Sequence, residues 1–159
     1  MAAGGLMYTA SFSNVNVTSA IQNIWEILAG ANTSILIHSM RLTFTPTIVS
    51  GVAQDVRAQL NVQTITSAGT GGAAVTPRPL NARNTVTAVS SFNRTVVTTQ
   101  GALGVILDSE NVSIIVPFER IYTPDQRIPI SAGNRLALNL SVALGTAYSA
   151  SSEIYFEEI

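Results

Sequence analysis

Few side chains in this sequence can do chemistry. Its 159 residues include one histidine, no cysteine, nine carboxylates and eight basic groups, every one of them arginine. The missing thiols remove disulfides, thiolate metal sites and cysteine nucleophiles together. His38 falls between Leu36 and Met40 on an apolar face of an alternating run, where a hydrogen-bonded core histidine is expected rather than a general base or a metal ligand. A mononuclear metal site also needs partner ligands, and the sequence offers His38 none at a recognisable spacing. Serines are plentiful, yet no GxSxG elbow presents one as a nucleophile.

By count, Asp108 with Glu110 and the terminal Glu153, Glu157 and Glu158 suffice for a glycosidase, whose chemistry needs two carboxylates flanking one sugar bond. The run Asp108-Ser109-Glu110-Asn111 is, however, made of residues that favour turns, so a hairpin is expected there. Gly69-Thr70-Gly71-Gly72 lacks the Lys-Ser/Thr that would make it a phosphate cradle. Arg78, Arg83 and Arg94 stand around a Pro-rich loop and are the candidate partner-contact residues. Their guanidinium groups can pair with carboxylates of another protein, the alternative being a solvated loop. The expectation is a chain that is not an enzyme, with no catalytic residue, cofactor or metal.

Composition narrows the partners. Only 11% of the residues are charged while 47% are hydrophobic, against roughly 25% charged in an average soluble domain. Too few charges remain for a well-solvated free surface, and cover by another subunit is the expected remedy. Arginine without lysine fits an interface, although a compositional bias of the source genome would give the same result. A net charge of −1 excludes nucleic acid as a main partner, because phosphates need a basic face. No apolar run approaches the ~18 residues of a membrane helix. The start, MAAGGLMYTA, has neither the basic nor the apolar part of a secretory signal, so synthesis and assembly in a cytoplasm are expected. The five N-x-S/T triplets at Asn16, Asn32, Asn93, Asn111 and Asn139 then carry no glycan meaning.

The elements that must position these residues read as strands. In Arg135 to Leu144, Leu136, Leu138, Leu140, Val142 and Leu144 alternate with polar or small residues, a period of two that gives a strand one buried face. Pro129 to Asn134 forms a turn before it. After Gly145-Thr146-Ala147, the last strand, Ser152 to Ile159, is expected to pair with it at the centre of a sheet. Leu6, Tyr8, Ala10 and Phe12 define a first strand, and Ile21 to Leu28 reads as a strand in preference to a short helix. Asp55 to Thr66 puts Val56, Ala58, Leu60 and Val62 inside, with Arg57, Gln59, Asn61 and Gln63 on a wet face. Ser67 to Asn84 is a long Gly/Pro-containing loop. Strands resume at Thr85 to Thr98, Val105 to Leu107 and Val112 to Phe118.

No segment holds a 3.6-residue period, so the chain is expected to be all-β. The predicted architecture is an antiparallel β-sandwich, a jelly roll of about eight strands, in one domain spanning 1–159. Within Ser34 to Thr45, Leu36, Met40, Leu42 and Phe44 share one face while Ile35 and Ile37 share the other. Ile35 and Ile37 are therefore the candidate subunit interface, because a sandwich strand needs only one apolar face.

The order YTASF at Tyr8 to Phe12, IWEI at Ile24 to Ile27, a Gly-rich loop running into TPRPLN at Thr76 to Asn81, and a terminal YFEEI at Tyr155 to Ile159 resembles small structural proteins of tailed bacteriophages. The likeness runs nearly end to end. It points to the jelly-roll head proteins that decorate or cement an assembled capsid as trimers, with Trp25 where a Phe is expected in relatives. What the resemblance implies is a virion component without chemistry, a homotrimer whose partner is the major capsid protein of the same particle. A tail or head-fibre module touching the host surface, or a carbohydrate-binding β-sandwich, would fit the same outline.

Overall fold

The structure, a computed structural model, describes residues 5–17, 22–46, 57–81, 83, 85–96, 100–144 and 148–159. Among them run twelve strands: β1 (Leu6–Val17), β2 (Gln22–Leu28), β3 (Ile35–Pro46), β4 (Arg57–Ile65), β5 (Ala73–Val75), β6 (Arg78–Pro79), β7 (Ser91–Val96), β8 (Leu103–Ser113), β9 (Phe118–Ile121), β10 (Ile128–Ile130), β11 (Arg135–Leu140) and β12 (Tyr148–Glu158). Pro124–Gln126 forms a 3₁₀ turn. No helix among the described residues is long and apolar enough to cross a membrane. The expectations for Ile21, Asp55, Val56, Thr98 and Gly145-Thr146-Ala147 lie outside the described residues.

The strands form two antiparallel sheets packed face to face, a β-sandwich. One runs β10-β3-β12-β1-β6, with β9 also paired to β3; the other runs β5-β7-β2-β11-β4-β8. Between them lies one apolar cluster, to which Tyr8, Met40, Ile154 and Phe156 contribute from the first sheet and Trp25, Leu60, Phe92 and Leu138 from the second. Each such side chain contributes roughly 1.5–3 kcal/mol by leaving water. Tyr8 stacks on Phe156 at 5.7 Å, and Trp25 meets Phe92 at the same distance.

The two strands with the cleanest alternation sit at the centres of different sheets. β11 lies between β2 and β4, and β12 lies between β3 and β1. They do not pair with each other as the sequence suggested; the chain crosses from one sheet to the other between them, so both apolar stripes face one core from opposite sides. The turn before β11 is as expected, with Asn134 N–H donating to Ser131 O at 3.0 Å and Gly133 at φ 74°, a conformation glycine adopts without penalty. β11 ends at Leu140, and Val142 is exposed.

Several boundaries differ from expectation. Asp108-Ser109-Glu110-Asn111 lies inside the eleven-residue β8 and is not a hairpin turn, because pairing along β4 outweighs the turn preference of its residues. The turn comes later, at 114–116. The loop from Ser67 to Asn84 contains β5 and β6, each too short to show a period, and the segment from Thr85 to Val89 is not strand; β7 begins at Ser91.

In β3 the two faces exchange. Ile35 and Ile37 are fully buried in the core, as are Met40, Leu42 and Phe44, while Leu36 and His38 are partly exposed. The cause is a β-bulge: Phe156 of β12 pairs with Ile37 and Tyr155 with Ser39, leaving His38 as an extra residue. On its other side, β3 changes partner at the same place, from β10 at Ile35–Ile37 to β9 at Ser39–Leu42.

Candidate functional site

The bulge removes Ile35 and Ile37 as a subunit interface, because both side chains already fill this chain's own core. It also takes His38 off the core face. His38 Nε2 and Glu157 Oε2 share a hydrogen bond of 3.1 Å on the outer face of the first sheet, with both side chains about one-fifth exposed. A charge-capable pair at the surface orders the end of β12 against β3.

Around it the outer face of the first sheet is polar. Thr9 Oγ1 donates to Glu153 Oε1 at 3.3 Å, and Arg41 lies directly across from Glu153. The Tyr155 hydroxyl is held above its ordinary range chiefly by its hydrogen bond to Glu153. Ser11, Ser13, Arg41, Thr43, Ser151 and Glu153 line a shallow depression of about 370 Å³ on this face.

The candidate partner-contact arginines are not brought into one group. Arg78 is exposed in β6, opposite Thr9 at the edge of the first sheet. Arg83 is exposed beyond it, its N–H donating to Asn81 Oδ1 at 3.0 Å. Arg94 is partly buried in β7 of the second sheet, opposite Trp25 and Ala73.

Asp108 and Glu110 are engaged with one cation. Arg120 Nε lies 3.0 Å from Asp108 Oδ2, its Nη2 donates to Asp108 Oδ1 at 3.3 Å, and its Nη1 lies 3.6 Å from Glu110 Oε2. The Tyr122 hydroxyl donates to Asp108 Oδ2 at 3.3 Å, and the guanidinium sits 6.0 Å from the Tyr122 ring centre. Burial, followed by the Asp108 charge, pushes the Tyr122 hydroxyl far above its ordinary range. Because β8 ends the second sheet and β9 belongs to the first, this cluster clasps the two sheets along one side of the sandwich.

The outer face of β4 is wet at Arg57, which is exposed, and in part at Gln59, but not further along the strand. Asn61 and Gln63 are buried, as are Gln22, Asn23, Glu26 and Asn139. Asn139 Nδ2 donates to Asn23 Oδ1 at 2.8 Å, and Asn23 Nδ2 donates to Glu26 Oε1 at 2.9 Å. The chain after β4 reaches Glu26: Gly69 N–H donates to Glu26 Oε1 and Oε2 at 3.2 and 3.3 Å, and Ala102 N–H donates to Ser67 Oγ at 2.9 Å. A buried carboxylate without a cation is tolerable when several donors meet it.

What the sequence did not single out is the free side of β8. Among the described residues this strand pairs only with β4, and Leu103, Val105, Ile106 and Leu107 are all between 46% and 67% exposed. Two register shifts opposite Val62, Gln63 and Ile65 put extra residues into this half of β8, so consecutive apolar side chains reach solvent instead of alternating inward. Ile115 and Val116, in the turn after β8, are exposed as well. The available signal was the uninterrupted apolar run from Val105 to Leu107, which a half-buried strand does not have.

Comparison with known proteins finds no family model, no curated protein and no solved structure that matches this chain.

Proposed function

We propose that this chain is a non-enzymatic structural protein of a virion, a decoration or cement protein that stabilises a capsid shell by bridging its subunits. The observation that carries the reading is the open edge of β8, where four large aliphatic side chains stand in water on one strand of a chain with few charges. Such an edge is a standing liability unless another protein covers it. Burial across a junction between shell subunits adds interface area, and a component that binds only the assembled state stabilises it by mass action.

The strand order supports the jelly-roll reading of the sandwich: β1, β12, β3 and β9 are neighbours in one sheet and β2, β11, β4 and β8 in the other, with β5 to β7 as an insertion between β4 and β8. In this reading the chain acts as a homo-oligomer, three copies being the expected number, with the major capsid protein as partner. The test is protein mass spectrometry of particles purified from the source, followed by adding the chain to shells that lack it. It should be present in fixed ratio to the shell protein and should raise the shell's unfolding temperature. Absence from the particle refutes the reading.

The polar depression beside Tyr155 supports a second reading, a glycan-binding face on the same sandwich. Chemical-shift changes confined to Arg41, Glu153 and Tyr155 on adding oligosaccharides would favour it.

A further inference from the structure

We infer that the cavity between the end of β4 and the turn joining β10 to β11 is a binding site for a small organic carboxylate with a short aliphatic body. The site lies apart from the β8 edge and from the depression beside Tyr155, and it does not depend on the virion reading.

The chain crosses from the first sheet to the second between β10 and β11. At that crossing, residues 64–66 on one side and the stretch from Pro129 to Leu136 on the other line a cavity of about 440 Å³, within the usual range for small-molecule sites.

Three features of the lining select the ligand. The first is charge. Among the described residues, Arg135 is the one cation of the lining and no acid lines it. Arg135 is partly buried, and its guanidinium pairs with no carboxylate and no carbonyl of a described residue. A guanidinium withdrawn from water without an acceptor is unfavourable, and a carboxylate answers it with two parallel bonds. One guanidinium balances a monoanion, whereas a phosphate dianion calls for a second cation. The next feature is the state of the neighbouring donors. Thr64 Oγ1 already accepts from Val105 N–H at 2.9 Å, and Thr66 Oγ1 donates to Ala102 O at 3.4 Å. The Ser131 hydroxyl and the Asn134 amide group, which also line the cavity, make no bond to a described residue. Both sit on a turn whose backbone is fixed, Asn134 N–H donating to Ser131 O and Gly133 N–H to Gly30 O, each at 3.0 Å. The donors beside Arg135 are therefore held on a set backbone before a ligand arrives, which lowers the cost of binding. The third feature is the apolar part of the lining, supplied by Ile65, Ile130 and Leu136. A short aliphatic chain packs on it, and a fully polar anion gains nothing there.

The test is a nuclear magnetic resonance titration of the full chain with hexanoate, hexanamide and inorganic phosphate, each to about 10 mM. Hexanoate should shift the amides of Ser131, Gly133, Arg135 and Leu136 most, and should raise the midpoint of thermal unfolding because it binds the folded state alone. Hexanamide keeps the chain without the charge, and phosphate keeps charge without the chain; each should bind at least about tenfold more weakly. Arg135→Gln should lose hexanoate by the same factor with unchanged far-UV circular dichroism. Ser131→Glu, which puts an acid on an exposed position of the turn, should lose it too. Arg57→Gln, exposed at the other end of β4, should bind hexanoate as the wild type does. Were Arg135→Gln not to fold, the comparison of hexanoate with hexanamide on the wild type still decides. No shift with hexanoate, equal binding of hexanamide or of phosphate, unchanged affinity in Arg135→Gln or Ser131→Glu, or shifts centred elsewhere would each overturn the inference.

Discussion

The bulge at His38 makes adjacent residues of β3 respond in opposite ways to the same truncation. Ile37 is fully buried and packed in the core, whereas Leu36 lies on the outer face opposite Glu157 and Pro129. Ile37→Ala deletes core carbon atoms and leaves a cavity that the flanking strands cannot close, at a cost of about 3 kcal/mol within the usual 2–5. Leu36→Ala removes a side chain that is partly solvated in both states, so its cost is about 1 kcal/mol or less. For a chain of this size the first change lowers the midpoint of thermal unfolding by roughly 6–12 °C and the second by no more than about 4 °C. In urea, with a slope of about 2 kcal/mol/M, the Ile37→Ala midpoint falls by about 1.5 M.

Strict alternation carried back from Met40 through His38 gives the opposite ranking, since it puts Leu36 inside and Ile37 outside. Equilibrium denaturation of the two variants, read by Trp25 fluorescence and by far-UV circular dichroism, therefore decides between the two registers. A larger loss for Leu36→Ala than for Ile37→Ala would refute the bulge. Deleting His38 is a companion test: it restores unbroken alternation from Ile35 to Phe44, so the core stays apolar and the protein should still fold, giving up the Glu157 pair and the bond from Tyr122 N–H to His38 O.

Three further outcomes are expected. Glu26→Ala strands the Gly69 N–H and Asn23 Nδ2 that now bond to its carboxylate, costing about 1–3 kcal/mol; amide exchange at Gly69 should accelerate, and unchanged exchange would contradict the latch. Arg120→Met unclasps β8 from β9, but its side chain is 43% exposed, so the loss is about 1 kcal/mol, or roughly 2–4 °C in thermal unfolding. Tyr122 is held neutral to a higher pH in the folded chain than in the unfolded one, by burial first and Asp108 second; its stabilisation is therefore complete below about pH 10 and declines as pH rises beyond it. Tyr122→Phe should flatten that alkaline decline in a pH series of urea midpoints, and an identical slope in both proteins would count against the cause.

Alternation identified the central strands because in β1, β11 and β12 the side-chain period and the core face coincide over six or more residues. It failed where a neighbouring strand decides the face. The extra residue at His38 is visible only in the pairing with β12, and nothing local in the sequence marks it; those in β8 are fixed by the pairing with β4, with the unbroken apolar run from Val105 to Leu107 as their one local sign. Polarity misled in a different way at Asn61 and Gln63, which face outward from the core yet are buried, Asn61 accepting from Ser109 Oγ of the neighbouring β8. Turn preference likewise lost to strand pairing at Asp108 to Asn111. The candidate interface moved for the same reason: once Ile35 and Ile37 belong to the core, the unexplained apolar surface is the side chains that bulges turn outward at β8.

An exposed aliphatic edge strand ordinarily invites open-ended growth, because a regular edge offers a ladder of free N–H and C=O groups to any extended chain. On β8 the apolar residues and the regular ladder are separated. The half with Leu103 to Leu107 is bulged, and the regular half that follows carries Asp108 and Glu110. Extended peptide seeking the ladder meets two acids, while a folded surface seeking aliphatic contact finds it only where the ladder is broken. Contact at this edge is thus biased toward a folded surface and away from the open-ended addition of strands.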